Sequence, residues 1–167
     1  CMDSGGHHTI DVYRFCKKRQ SQNVFAIKGY GGSDVPYINR PTTSNRVKTP
    51  LFKIGVDTGK ALLAQRLKVT EEGPGFCHFP RDRGRGYNEE YFKGLTAEQM
   101  IITYVKGRSV IKWELKNPSY HRNEPWDIRN YATAALEIAN PVLIAPGDKK
   151  PTKKRSGGRR TVSSGIE

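Results

Sequence analysis

What most constrains this chain is the alternation of short strand and helix signals through residues 1–67. Asp3 stands before the Gly5-Gly6 turn and Thr9 follows as a helix cap, so the opening reads as a strand end, a turn and a helix over 10–20. Val12, Tyr13 and Cys16 fall on one face of that helix, and Lys17, Lys18 and Arg19 lie in its last turn, where cations suit the helix dipole. Asn23 to Lys28 reads as a short buried strand, 29–50 as a long surface loop, Leu51 to Asp57 as the next strand, and Thr58 as the start of a helix through Leu62, Leu63 and Leu67. Strands taking turns with helices imply an α/β sheet. An acid before a glycine turn ordinarily closes a strand, yet only two residues precede Asp3 and the first residue is Cys1. The sequence therefore reads as N-terminally truncated, the back part of a longer protein with earlier strands upstream.

The second half adds different signals. Gly73-Pro74-Gly75 is a turn, Phe76 to Phe79 a small strand stopped by Pro80, and Arg81 to Gly86 an exposed basic loop. Tyr91 and Phe92 belong to a helical turn, and Thr96-Ala97-Glu98-Gln99 has the form of a capped helix start. Met100 to Lys116 alternates as two strands about Lys106-Gly107-Arg108, which is a hairpin pattern. The last helix covers 124–139, with Trp126, Tyr131, Ala135 and Ile138 as core contacts, and Pro141 stops it. Residues 1–140 form one domain with a mixed sheet and flanking helices, while 141–167 read as a basic disordered tail.

Charge narrows the partner. The chain carries +13, and residues 141–167 hold seven basic against two acidic side chains, so +8 remains on 1–140. A basic excess spread over the globular part as well as the tail points to a polyanion. Three cysteines at irregular spacing imply reduced thiols rather than a disulfide framework, and Cys77-His78 with His7 and His8 matches no zinc spacing. No stretch reaches the ~18 apolar residues of a membrane span.

Several residues invite a chemical role. Gly55-Val56-Asp57-Thr58-Gly59-Lys60-Ala61 falls short of a phosphate-binding loop, having too short a glycine gap and no hydroxyl after the lysine. Lys60 emerging beyond a strand could still meet a DNA phosphate or stabilise phosphoryl-transfer charge, or be an ordinary exposed lysine. Asp3 at a strand end suits a hard divalent cation, with Gly5 and Gly6 allowing close approach of a substrate; the alternative is an Asp that only caps the turn. His7 and His8 suit phosphate contact or proton transfer, or are plain surface residues. Glu124 and Asp127 share a helix face, although acids in a first turn also satisfy the helix dipole. Three carboxylates meeting in space would repel one another unless a metal neutralised them, and paired Mg²⁺ or Mn²⁺ ions in such clusters activate water against a phosphodiester.

These residues, in this order, resemble the nuclease domain of the lambda-type phage terminase large subunit, the GpA family. The resemblance runs over roughly 2–139 through Asp3-Ser-Gly-Gly-His-His-Thr9, Val12-Tyr13-x-Phe15-Cys16, Phe25-Ala26-Ile27-Lys28-Gly29, Gly55-Val56-Asp57-Thr58-x-Lys60, Gly73 to Pro80, Leu95-Thr96-Ala97-Glu98 and Arg122-Asn123-Glu124-x-x-Asp127 with Tyr131-Ala132. It implies a ribonuclease-H-like sheet and Mg²⁺- or Mn²⁺-dependent endonuclease cleavage of concatemeric viral DNA during packaging. It further implies a terminase small subunit and procapsid portal as partners, and the host cytoplasm as the place of work. Asp3 looks like the family's fourth-strand acid, Glu124 or Asp127 like its last-helix acid, and Lys60 like its basic residue after the next strand. Lys60, Arg81, Arg83, Arg85 and Arg122 would hold the DNA backbone. The family's first-strand aspartate and ATPase motor have no counterpart here, so weak metal binding and slow cutting are expected of this stretch alone. The competing expectation is a catalytically inactive fragment that binds DNA without sequence preference; a tail that docks on the portal is a further one.

Overall fold

The computed structural model describes residues 1–143 apart from Ser33, Tyr120 and His121, and the side chain of Arg83 is likewise outside the description. The basic tail from 144 onward, Arg83 as a DNA contact, and the donors Tyr120 and His121 ahead of the last helix thus fall outside the described residues.

The chain is mixed α/β, with its strands in two sheets rather than the single mixed sheet expected from the sequence. β1 (Met2–Asp3), β2 (Ala26–Tyr30) and β3 (Leu51–Gly55) form a parallel sheet in the order β1-β2-β3, and β4 (Glu98–Val105) with β5 (Arg108–Leu115) forms an antiparallel pair. Helix α1 (Thr9–Lys18) links β1 to β2, α2 (Val56–Arg66) leaves β3 directly, α3 (Glu89–Leu95) precedes the hairpin, and α4 (Glu124–Ala139) closes the description. The 31–50 segment does more than wander over the surface. Its backbone runs antiparallel beside β3 at Ile38 and Thr42, so the outer edge of the sheet is covered.

Side-chain alternation along the strands sets two cores. Ala26 faces α1 and packs with Tyr13 and Cys16. Ile27, the next residue, faces the other way and packs with Ile54 and Ala134 of α4. The register pairs Met2 with Ala26 and Asp3 with Ile27. Asp3 therefore shares the α4 face of the sheet. A third cluster, Leu63, Leu95 and Trp126, joins α2, α3 and α4, with Trp113 of the hairpin packed against it.

Several local expectations change. His8, not Thr9, is the N-cap of α1, because the Thr9 hydroxyl donates to the carbonyls of Ser4 (2.8 Å) and Gly6 (2.9 Å) and so ties down the turn. β3 ends at Gly55 and α2 starts at Val56, so Asp57 is a first-turn residue that accepts the Gly32 amide at 2.6 Å. Phe76 to Phe79 is not a strand: no neighbouring edge pairs with it, and Cys77 and Phe79 pack instead onto the third cluster. Thr96 closes α3 instead of opening a helix, its hydroxyl donating to Phe92 O, and Glu98 begins β4. At the hairpin turn, Lys106 (φ 51°) and Gly107 (φ 76°) both take the left-handed conformation that tight two-residue hairpins require. In α4 the fully buried alanine is Ala134, while Ala135 is half-buried.

Candidate active site

A buried ion cluster joins the two sheets. Lys60 of α2 lies with its side chain 8% exposed, and its Nζ donates to Glu98 Oε1 (2.9 Å) and Oε2 (2.8 Å) and reaches Asp127 Oδ1 at 3.0 Å. Glu98, at the base of the hairpin, is 5% exposed on its side chain and also accepts Asn123 Nδ2 at 2.6 Å. One ammonium thus serves two carboxylates, leaving one net negative charge. An unpaired charge in such a position would be costly, so the members hold one another in place. Asp127 is the exposed member at 37%, and its Oδ2 makes no hydrogen bond among the described residues.

Asp3 lies at the carboxyl end of β1, the side of a parallel sheet where ligands gather. Its Oδ1 accepts the Gly5 amide at 3.0 Å, so it does cap the turn. Its residue is exposed, and Oδ2 is free of any hydrogen bond among the described residues. Tyr131 of α4 lies in the electrostatic field of both acids. Burial, then the negative charges of Asp3 and Asp127, push its phenol from the usual 10 up to about 12. The phenol lies over Gly29, where an added Cβ would come within 3.3 Å of its oxygen. Gly29 follows Ile27 by two positions and so shares the face of Asp3. A glycine there lets the Tyr131 ring settle against the strand.

The remaining expected residues disperse. Glu124 opens α4 exposed, beside Glu90, Tyr91 and Arg122 around a shallow cleft. Among the described residues no group of three His, Cys, Asp or Glu side chains stands close enough to hold a metal, so Asp3, Glu124 and Asp127 do not meet as one three-acid cluster. Lys60 is buried in carboxylates and offers nothing to a DNA phosphate in this conformation. Arg81 is exposed, Arg85 pairs with Asp82 (Nε–Oδ2 3.4 Å) and Arg122 with Glu90 (Nη1–Oε1 3.6 Å). His7 and His8 are both exposed. Glu98, the most deeply placed acid of the site, enters the sequence reading as part of a helix cap and of the family resemblance, without a role at the site.

A family model described as "Terminase large subunit gpA, endonuclease domain" matches residues 1–145. This chain belongs to that family. It is 35% identical over 148 residues to the "Terminase, large subunit" of Escherichia phage lambda, a match covering 83% of this chain and 22% of the lambda protein. The gpA endonuclease-domain chain thus spans about a fifth of that relative's length. No solved structure matches it, and among the described residues no helix is long and apolar enough to cross a membrane.

Proposed function

We propose that this gpA endonuclease domain cuts viral duplex DNA during packaging in a Mg²⁺- or Mn²⁺-dependent reaction, with Asp3 and Asp127 as the metal-holding pair. The observation that carries this reading is the shared sheet face: Asp3 by register with Ile27, Asp127 from the first turn of α4, and both charges acting on Tyr131. The donor set fits the cation. Mg²⁺ prefers oxygen ligands and is commonly held by one or two carboxylates, with waters and substrate phosphate filling its other positions. A fold of ribonuclease-H-like type goes with the proposal, supported by an acid at the end of a parallel strand on the sheet face that packs against the last helix, whose opening turn carries a second acid.

The bound ion would activate water and stabilise the departing oxygen. The protein's own groups set the stage. Lys60 holds one oxygen of Asp127 and leaves the other unpaired among the described residues; it is a positioning residue. Glu98 and Asn123 keep Lys60 there. Tyr131 keeps its proton at neutral pH, held there by burial and by the charges of Asp3 and Asp127. Gly5 and Gly6 leave the rim beside Asp3 uncovered, and an added side chain at Gly6 would meet nothing within 4 Å. Arg81, Arg85 and Arg122 would meet the DNA backbone, and double-stranded DNA, the small subunit and the procapsid portal in the host cytoplasm complete the setting. In the intact large subunit, Asp3→Ala and Asp127→Ala should each abolish cutting while leaving DNA binding, and Glu124→Ala should still cut. Cutting that survives both aspartate changes would remove the metal assignment. A second reading, DNA binding without catalysis, is favoured by the +8 on residues 1–140. It is the reading left if the wild-type chain binds duplex with a salt slope near −0.9 per phosphate and never cuts.

A further inference from the structure

A second cleft, of about 560 Å³, opens between α2, α4 and the turn around Gly75 to Cys77. Arg129 follows Asp127 by two residues, which is about 200° around an α-helix, so the cleft lies on the far side of α4 from the candidate active site. Arg66 from α2 and Arg129 from α4 both line it, with Thr133 alongside and Leu63, Leu136 and Phe76 as apolar walls.

The two guanidiniums are only loosely committed. Arg66 has Glu137 at 3.9 Å (Nη2–Oε1), the outer limit of an ion pair, and both side chains are partly exposed. Arg129 has no carboxylate within ion-pair distance among the described residues; its guanidinium stands 5.0 Å from the Phe79 ring centroid. Two arginines and one glutamate leave one net positive charge at the cleft. A planar fork of N–H donors matches phosphate oxygens two at a time, which an ammonium cannot do. Apolar walls around a few convergent polar groups are the usual make-up of a small-molecule pocket, and this volume is within the usual range of about 300–1,000 Å³.

We propose that this cleft binds a phosphate group carried on a nucleoside, with Arg66 and Arg129 on the phosphate and Phe76 with the leucines against the nucleoside. The phosphate comes from a free nucleotide or from a DNA strand. The inference does not depend on the cleavage reading, since neither Asp3, Lys60 nor Asp127 takes part.

The experiment titrates the whole chain with thymidine monophosphate at fixed ionic strength and, separately, with a short blunt duplex over a range of salt concentrations, following melting temperature and binding heat. The nucleotide should raise the melting temperature saturably. Replacing both arginines (Arg66→Gln with Arg129→Gln) should weaken its binding by roughly tenfold or more, as expected for lost charge-assisted hydrogen bonds. Glu137→Gln removes the competing carboxylate and should tighten binding, a gain that a damaged fold cannot imitate. If the nucleotide is ignored but the duplex loses about 0.9 of salt slope per arginine removed, the phosphate is that of the DNA backbone. The proposal is overturned if the nucleotide acts no differently from chloride and the duplex slope is the same in wild type and double variant.

Discussion

The parallel sheet with α4 and the β4–β5 hairpin solve opposite problems with similar side chains. In the sheet, Ile27, Ile54 and Ala134 are 0% exposed and fix the strands against the helix. In the hairpin, Met100 (50%), Ile102 (59%) and Tyr104 (76%) stand in water along one face, so packing at the tip contributes little. Yet this loosely packed element supplies Glu98, the most buried carboxylate of the site, because its base is clamped by Trp113 on the third cluster and by Lys60. The body thus places Asp3 and Asp127, and the hairpin holds the cation that restrains one of them. Rigidity at the site is shared between an apolar core on one side and an ion cluster on the other.

Removing the link should have the largest effect. Lys60→Ala leaves Glu98 buried without a counter-charge and should cost about 3–5 kcal/mol of unfolding free energy, read from urea denaturation, with cutting by the intact enzyme lost as well. A loss below about 1 kcal/mol, the size of an exposed pair, would show that the hairpin base is not clamped by this cluster.

Alkali probes the packing around Tyr131. Burial first, then nearby carboxylates, raise Tyr131 from 10 to about 12, and burial also raises Tyr37. Between those values the folded state holds protons that the unfolded chain has released, so stability is full below pH 10 and falls as pH climbs toward 12. Melting temperature measured across that range should drop, and Tyr131→Phe should flatten the drop; an unchanged slope in the variant would contradict the assignment. Next comes Ile54→Val, where deletion of one methylene from the 0%-exposed core should cost about 0.5–1.5 kcal/mol. Smallest of all is Ile102→Thr at the exposed hairpin face, expected within about 0.5 kcal/mol of wild type. A larger loss at Ile102 than at Ile54 would invert the comparison.

What the sequence revealed follows the range of the forces involved. Helix α4 runs over Glu124–Ala139, as the apolar spacing and Pro141 indicate, and Lys106-Gly107 marks the hairpin turn by local backbone preference alone. Tyr13 and Cys16 are buried on the predicted face of α1. Glu98 was hidden because Thr96-Ala97-Glu98-Gln99 spells a local cap, whereas pairing with Leu115 across the hairpin and the charge of Lys60 decide its state. The burial of Lys60 was equally out of reach, since it depends on carboxylates far along the chain. Phe76 to Phe79 has strand composition but no partner edge, which composition cannot report. Glu124 and Asp127 share a face by spacing, and only the position of α2 separates their roles.

We propose one cation site formed by Asp3 and Asp127, with Glu124 outside it. Mn²⁺ titration of the purified chain, followed by electron paramagnetic resonance of the free ion, tests this without requiring cleavage. Saturable uptake is expected, which Asp3→Asn and Asp127→Asn each remove and Glu124→Gln leaves intact. Uptake that persists in Asp127→Asn but vanishes in Glu124→Gln would contradict it.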